Sequence, residues 1–197
     1  MPSETHRGSM RLTTPGRRCG WERNRYLCRM PSHIRAAQPR DLISLEEIEN
    51  EADARFLDRF HPATWRPAPS ANEREMSTGF ILVAAQTQGG DPVGFVHVVL
   101  AERLAHLEQL SVLPAHGRRG HGRALVEAAK SEAFQRGFEE ITLRTFAEIP
   151  WNGPFYSHSG FVETEPSTQF HLDMLQVETE SGSARYGRRI HMTCKLP

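Results

Sequence analysis

The 197-residue chain has the length of one domain with an ordinary hydrophobic core. Hydrophobic residues make up 38% and charged residues 24%, which indicates a globular rather than a disordered protein. The formal net charge is zero and no apolar run approaches the roughly 18 residues of a membrane span, so we expect neither a nucleic-acid nor a membrane partner.

The N-terminal segment, residues 1–29, differs in composition from the rest of the chain. It holds seven arginines and two acids without apolar periodicity, and it lacks the apolar stretch of a signal peptide. We interpret it as a flexible basic extension before a domain over 30–197. Met30 directly precedes the first structured segment, so one hypothesis is that translation starts there. The mass of the native N-terminus would test this, and an intact 1–29 would refute it.

Alternating strand and helix signals follow in chain order. The pattern predicts strands at 33–37, 80–86, 93–100, 105–113, 138–146 and 189–196. Helices are predicted from Pro39 through Phe56, from the glycine-rich loop 114–122 to Arg136, and over 150–159 and 168–178. Three prolines in 61–77 indicate a loop or a broken helix. This order predicts an α/β domain with helices packed on a mixed sheet.

Cysteine and histidine usage favours neither disulfides nor metal. Cys19, Cys28 and Cys194 are too scattered for a disulfide framework, and no Cys or His spacing is typical of zinc ligands. We therefore expect no metal and a reducing, cytoplasmic location.

The glycine-rich turn AHGRRGHGRALVEAA, residues 115–129, is the central motif because it follows a strand and opens a helix. A helix N-terminus presents unpaired N–H groups and partial positive charge, and glycine lets an anion approach the backbone closely. Arg118, Arg119 and Arg123 add charge suited to phosphate oxygens. A diphosphate ligand is therefore predicted, although a plain tight turn would give the same pattern. Neither a Walker A loop nor a Rossmann fingerprint fits the spacing.

This turn resembles the acyl-CoA signature of the GNAT superfamily of N-acetyltransferases. In that signature Gln or Arg stands three residues before Gly-x-Gly or Gly-x-Ala. The chain matches at Gly120 and Gly122 and departs at the first position, which is Gly117. A second segment, WNGPFYSHSGF at 151–161, is similar to the family's Asn…Phe-Tyr…Gly-Phe segment beside the pantetheine arm. The resemblance covers about residues 33 to 196.

The resemblance implies a fold, a donor and a set of site residues. The fold is a GNAT-type α/β domain, with a central mixed but mostly antiparallel twisted sheet of about 6–7 strands and helices on both faces. The donor is acetyl-CoA, and the reaction is direct attack of an amine on the thioester in a ternary complex. The implied cofactor-binding residues are Leu110, Ser111, Val112, Gly117, Arg118, Arg119, Gly120, His121, Gly122, Arg123, Asn152, Phe155 and Tyr156.

Glu108 and Tyr156 are the candidate catalytic residues. Glu108 lies on the strand before the turn, where the family often places a carboxylate that accepts the amine's proton. The strand period puts His106, Glu108, Leu110 and Val112 on one side, and leaves His106 or a water chain as competing bases. Tyr156 is the candidate acid for the departing thiolate, with a hydrogen-bonded core tyrosine as the alternative.

The acceptor side is the least informative part of the sequence. It is expected between 52–77 and 168–178, for a small-molecule amine or a protein amine, and a homodimer stays open. Acids such as Glu47, Glu51, Asp53 and Asp58 could attract a cationic amine, but acids on a helix more often form a solvated face. The alternative function is a non-catalytic acyl-CoA-binding or sensing domain of the same fold.

Overall fold

The computed structural model describes residues 32–63, 65–101 and 103–197, so the predictions for residues 1–29, Cys19 and Cys28 lie outside the described residues. Seven strands form one sheet in the order β1-β2-β3-β4-β5-β7-β6. They are β1 His33–Ala36, β2 Gly79–Ala85, β3 Pro92–Ala101, β4 Leu104–Val112, β5 Glu140–Phe146, β6 Val162–Glu163 and β7 Arg189–Lys195. Each neighbouring pair is antiparallel except β4 and β5, which are parallel. The predicted mixed, mostly antiparallel sheet is therefore confirmed.

Five α-helices connect the strands of the described chain. They are α1 Pro39–Phe60, α2 Ala71–Met76, α3 His121–Gln135, α4 Gly153–Ser157 and α5 Gln169–Glu180. Short 3-10 turns occupy Pro114–His116 and Ser183–Tyr186. Helix α2 falls within 61–77, where the sequence predicts a loop or a broken helix, and β6 is not predicted. The sequence does carry a signal for α2, because Ser70 and Glu73 form a reciprocal capping box at its start.

Helices cover both faces of the sheet and build two cores. The larger core packs apolar residues of α3, such as Leu125 and Ala129, against inward side chains of β2 to β5 and β7. On the other face, Leu45 and Ile48 of α1 pack against Phe95 and its neighbours. The central strand β3 is buried on both faces over most of its length, as its continuous apolar sequence predicts.

The parallel strands β4 and β5 separate towards their C-terminal ends. Their pairing runs only from Ala105–Leu107 against Ile141–Leu143 in the described chain. Beyond it, residues 108–112 of β4 and 144–146 of β5 leave a gap, called the wedge below. The loop 113–120 and the loop 147–152 follow these two strand ends. Ligands of open α/β sheets bind outside the carboxyl ends of parallel strands, so the wedge is where a site is expected.

Candidate active site

A β-bulge places Glu108 at the edge of the wedge. In the β3–β4 ladder, His97 pairs with Gln109 and Val98 pairs with Leu107, so Glu108 is an extra residue without a partner on β3. A bulge of this kind bends the strand and turns a side chain in a new direction. Glu108 is consequently half-exposed, with 47% of its side-chain surface accessible.

The bulge corrects the prediction that His106, Glu108, Leu110 and Val112 share one side of β4. Since one extra residue reverses the alternation, His106 faces the α1 and α5 side, whereas Leu110 and Val112 pack against the larger core on the α3 side. A strict period of two cannot hold across a bulge, and the sequence of β4 alone does not reveal one.

Main-chain N–H groups of β4 point into the wedge. The Leu113 N–H donates to the Val93 carbonyl at 2.9 Å, so Leu113 is hydrogen-bonded to β3. Because this bonding alternates along an antiparallel ladder, the Ser111 N–H also turns towards β3, and those of Leu110 and Val112 turn the other way. The predicted residues Leu110 and Val112 thus offer donors to the wedge. The structure does not bring Ser111 there: it is buried and accepts a 2.9 Å bond from the Gln109 amide.

The glycine-rich turn ends in an uncapped helix N-terminus. Gly120 precedes α3 with φ 93°, a left-handed conformation that favours glycine, and has no side-chain cap. The Ala124 N–H makes the first bond within the helix, to the Gly120 carbonyl at 3.0 Å. The N–H groups of 121–123 therefore have no partner within the helix and carry its partial positive charge. Unpaired N–H groups at a helix start suit an anion, in keeping with the prediction for this turn.

The side chains around this turn divide into structural and exposed groups. Arg118, Arg119 and Arg123 are exposed, so their charges are available at its rim. The His121 ring is buried and its Nδ1 lies 2.8 Å from the Ser32 hydroxyl, so it contributes packing. Burial lowers the pKa of His121.

Helix α4 brings Phe155 and Tyr156 to the α3 side of the wedge. A Cβ placed on Gly122 would lie 3.7 Å from Phe155 and 3.9 Å from Val112, so the glycine sits directly over both. Tyr156 is buried against Phe155, with ring centroids 5.0 Å apart. Burial raises the pKa of Tyr156 well above its usual value, so the phenol stays protonated and can donate. The Asn152 amide donates to the Thr145 hydroxyl at 2.7 Å, which anchors the start of α4 to β5.

Residues 45–161 match the acetyltransferase (GNAT) family. The chain belongs to this family. Solved structures of similar fold include a ribosomal-protein alanine N-acetyltransferase from Escherichia coli, with TM-score 0.59, 22% identity, and 84% of this chain and 94% of that chain covered. PaiA N-acetyltransferase from Thermoplasma acidophilum, in complex with coenzyme A, has TM-score 0.60 and 16% identity over 85% and 100% of the two chains. A GNAT acetyltransferase from Staphylococcus aureus Mu50 has TM-score 0.62 and 15% identity over 85% and 100%.

Charged groups of β7, of α5 and of the loop after α1 act on the carboxyl group of Glu108 in this GNAT protein. Although the side chain is half-exposed, burial against the surrounding protein raises the pKa of Glu108, and Arg189 and Arg66 offset part of this rise. Arg189 is itself held by Glu178 of α5 through bonds of 2.5 and 3.1 Å. Arg189 also offsets part of the increase in the pKa of Tyr156. Its charge therefore acts on both candidate catalytic residues.

A buried chain of polar side chains, which the sequence analysis missed, lies behind Glu108. His106 Nε2 is 3.9 Å from Glu108 Oε2, and its Nδ1 is 2.9 Å from the Thr142 hydroxyl. Thr142 continues to His171 Nε2 at 3.1 Å, and His171 Nδ1 continues to the Thr168 hydroxyl at 3.0 Å. Burial is the main cause that lowers the pKa of His106 to about 3, so this competing base is neutral and weak at physiological pH.

Replacing Thr142 with valine is expected to lower the free energy of unfolding by about 1–3 kcal/mol, because it leaves two buried imidazole nitrogens without a partner. Thr142→Ser keeps the hydroxyl and is expected to restore most of the loss. Thr193→Val on the adjacent β7 position is the control, since its hydroxyl bonds only the half-buried Thr164 in the described chain. Urea unfolding of the three variants measures this. An equal loss of unfolding free energy in Thr142→Val and Thr193→Val would contradict a stabilising role for the hydrogen bonds of Thr142.

Acidic residues of α1 do not gather at Glu108 as a set. Glu47, Glu51 and Asp58 are exposed on the helix, as expected of a solvated face. Asp53 is partly buried and accepts a 2.9 Å bond from the indole N–H of Trp65. Instead, a cluster of aromatic rings links α1, the loop after it and the end of β5, on the side where the acceptor is predicted, and the sequence did not indicate this cluster. Its rings are those of Phe56, Phe60, Trp65, Phe146, Trp151 and Tyr186.

The described residues also give two negative findings. Within residues 32–63, 65–101 and 103–197, no three His, Cys, Asp or Glu side chains are arranged to hold a metal ion. Among the helices described, none combines the length and the apolar character needed to cross a membrane.

Proposed function

We propose that this GNAT protein is an acetyl-CoA-dependent N-acetyltransferase that transfers the acetyl group to an amine by direct attack in a ternary complex. One observation carries the proposal: the strand N–H groups of Leu110 and Val112, the uncapped start of α3 and the carboxylate of Glu108 all meet at the wedge. Donors for a linear amide-bearing chain, donors for a diphosphate and a base thus lie at one site.

Coenzyme A fits the groups present. The N–H groups of 121–123, with the exposed Arg118, Arg119 and Arg123, suit the diphosphate. The outward N–H groups of Leu110 and Val112 suit the pantetheine amides and the acetyl carbonyl. The absence of a Cβ at Gly122 leaves space beside Phe155 and Val112. When bound, acetyl-CoA supplies an activated thioester, and Asn152 and Phe155 line the path of its arm.

Glu108 accepts the proton of the acceptor amine in this proposal. An ammonium has no free lone pair, so it must lose a proton before it attacks a carbonyl. A carboxylate of raised pKa is a stronger base than an ordinary one, and the bulge holds it at the edge of the wedge. Removal of the proton leaves a neutral amine, while the N–H groups on β4 stabilise the oxyanion formed on attack.

Replacing Tyr156 with phenylalanine is expected to lower kcat by about 10- to 100-fold while the Kd of acetyl-CoA stays within about twofold. The variant lacks the hydroxyl that would donate a proton to the departing sulfur. Its ring would still pack against the same neighbouring rings. Steady-state rates and calorimetry on the same preparation measure the two effects. Unchanged turnover would remove Tyr156 from the acid role.

The acceptor class follows only in outline. We propose an amine, either of a small molecule or of a protein, bound between α1 with its following loop and α5, and we place the protein in the cytoplasm. The rings around Phe56 form one wall of this proposed region.

Release of free CoA thiol from acetyl-CoA over a panel of amines tests the proposed function. Turnover of at least one amine is expected, together with a higher melting temperature in acetyl-CoA than in ATP or NAD. Stabilisation by acetyl-CoA with no turnover of any amine would favour the sensing alternative, which the departure at Gly117 permits. No stabilisation by acetyl-CoA would refute both.

A further inference from the structure

A guanidinium from another element lies beside Gly117, where the glycine-rich turn lacks a side chain. A Cβ placed on Gly117 would be 3.7 Å from Nη2 of Arg55. Arg55 belongs to α1, more than sixty positions earlier in the chain and on the other face of the sheet from α3. The fold therefore brings a cationic group to the position from which a side chain at 117 would start.

Arg55 also contacts the opposite side of the wedge. Its guanidinium carbon lies 5.7 Å from the ring centroid of Trp151. Gly117 is in the loop after β4 and Trp151 is in the loop after β5, so Arg55 bridges the two loops at the mouth of the wedge. The indole face holds the guanidinium in place without neutralising its charge.

No carboxylate in the described chain neutralises Arg55. The ion pairs there engage other arginines, namely Arg35, Arg74, Arg136, Arg144, Arg188 and Arg189. Arg55 is exposed, and Asp53 on the same helix is bound to Trp65. A charged guanidinium that is positioned by an aromatic ring and stands beside the turn leading into an uncapped helix start is suited to bidentate contact with a phosphate.

We propose that Arg55 binds a phosphate of coenzyme A, and that it supplies from α1 the cationic side chain that position 117 lacks. The proposal rests on the proposed function, since it places the diphosphate at the start of α3. The diphosphate and the 3′-phosphate of coenzyme A share this chemistry. The diphosphate is the expected partner because Gly117 belongs to the turn that leads into α3. Arg55 then couples the helix of the acceptor side to the bound donor.

Calorimetric titration of coenzyme A into four proteins tests the proposal. Arg55→Ala is expected to raise the Kd by about 10- to 100-fold, the loss of a charge-assisted contact. Arg59→Ala is the matched control, because its guanidinium lies over Phe60 one turn further along α1, and its Kd is expected within about twofold of wild type. Gly117→Arg added to Arg55→Ala is expected to recover most of the loss. The backbone at Gly117, φ −61° and ψ 157°, lies in a region open to all residues, and a Cβ there would be 3.2 Å from the Pro114 carbonyl oxygen, so a small shift of the turn accommodates the side chain.

Two truncated ligands identify the group that Arg55 contacts. Dephospho-CoA keeps the diphosphate, so Arg55→Ala is expected to raise the Kd of dephospho-CoA by the same factor as that of coenzyme A. S-acetyl-pantetheine has no phosphate, so its turnover is expected to be equal in Arg55→Ala and wild type. Equal melting temperatures of the exposed-site variants show that the fold is retained.

Two results would overturn the assignment. One is an unchanged Kd of coenzyme A in Arg55→Ala while the wild type binds it, and the other is an equal loss of turnover with S-acetyl-pantetheine, which has no phosphate. A loss of affinity that appears with coenzyme A but not with dephospho-CoA would assign Arg55 to the 3′-phosphate instead of the diphosphate. Wild-type protein that binds no coenzyme A would instead refute the proposed function, and the role of Arg55 with it.

Discussion

Glu108→Gln is expected to lower kcat by about 10²- to 10⁴-fold at neutral pH, the range for loss of one general base. The amide keeps the size of the carboxyl group but cannot accept the proton of the amine. The deficit is expected to shrink as pH rises, because more of the acceptor amine is then already deprotonated in solution. Rates measured between pH 6 and pH 10 at saturating acetyl-CoA give this profile.

The control for this variant separates chemistry from donor binding. The Kd of acetyl-CoA should change little in Glu108→Gln, because Glu108 is not among the groups proposed to bind the donor. Glu132→Gln, which removes only an exposed pair with Arg136 on α3, is expected to keep wild-type rates. A Glu108→Gln enzyme with the wild-type kcat and pH profile would remove Glu108 as the base and leave a water chain as the alternative.

The free energy of unfolding is expected to fall steeply as pH drops from about 6.5 towards 4. Burial lowers the pKa of His97 and His191 to about 4 and that of His106 to about 3. In the unfolded chain these side chains titrate near their ordinary value. Between the two ranges the unfolded state binds more protons, so acid favours unfolding, by up to about 1.4 kcal/mol per pH unit for each histidine.

Carboxyl groups modify this acid dependence in both directions. The hydrogen bond from Arg35 lowers the pKa of Asp41. The ionised Asp41 therefore stabilises the folded state, and this contribution is lost as pH falls. Burial raises the pKa of Glu49, Asp53 and Glu108, which favours the folded state as they take up protons. The contribution of His97 and His191 extends from their folded-state pKa of about 4 up to the ordinary histidine value of about 6.5.

Urea unfolding at pH 7.5, 6.5, 5.5 and 4.5 measures the acid dependence. His97→Gln removes one titrating group at a position where the Ser77 hydroxyl is 3.3 Å from the ring, and should reduce the slope. A free energy of unfolding that stays constant from pH 7.5 to 4.5 would contradict the inference that the buried histidines are uncharged in the folded protein.

Most elements of the fold were predictable because their signals are local. The apolar runs predict β3 and β4, Pro39 marks the start of α1, and the glycines at 120 and 122 mark the start of α3. The seven-stranded mixed sheet and family membership confirm the resemblance inferred from two short motifs. The two-residue strand β6 was missed because so short a segment has no period, and its pairing with β7 forms only in the folded sheet.

The geometry of the candidate site was less predictable because it depends on contacts distant in sequence. The bulge at Glu108 exists only in the pairing of β4 with β3, so alternation along β4 gave the wrong face for Leu110 and Val112. His106 and His171 meet through Thr142, although each looks like an isolated histidine in the sequence. Arg55 approaches Gly117 only because α1 packs against β4 in the folded chain. The catalytic roles of Glu108 and Tyr156 remain predictions.

Amide hydrogen exchange, resolved by residue with NMR, tests the donor site most directly when measured with and without coenzyme A. We expect the ligand to slow exchange at Leu110, Val112 and the three amides 121–123, while the start of α5 at Gln169 exchanges at its unliganded rate. If saturating coenzyme A leaves those five amides exchanging as in the free protein, the wedge and the start of α3 do not bind the donor and the account is wrong.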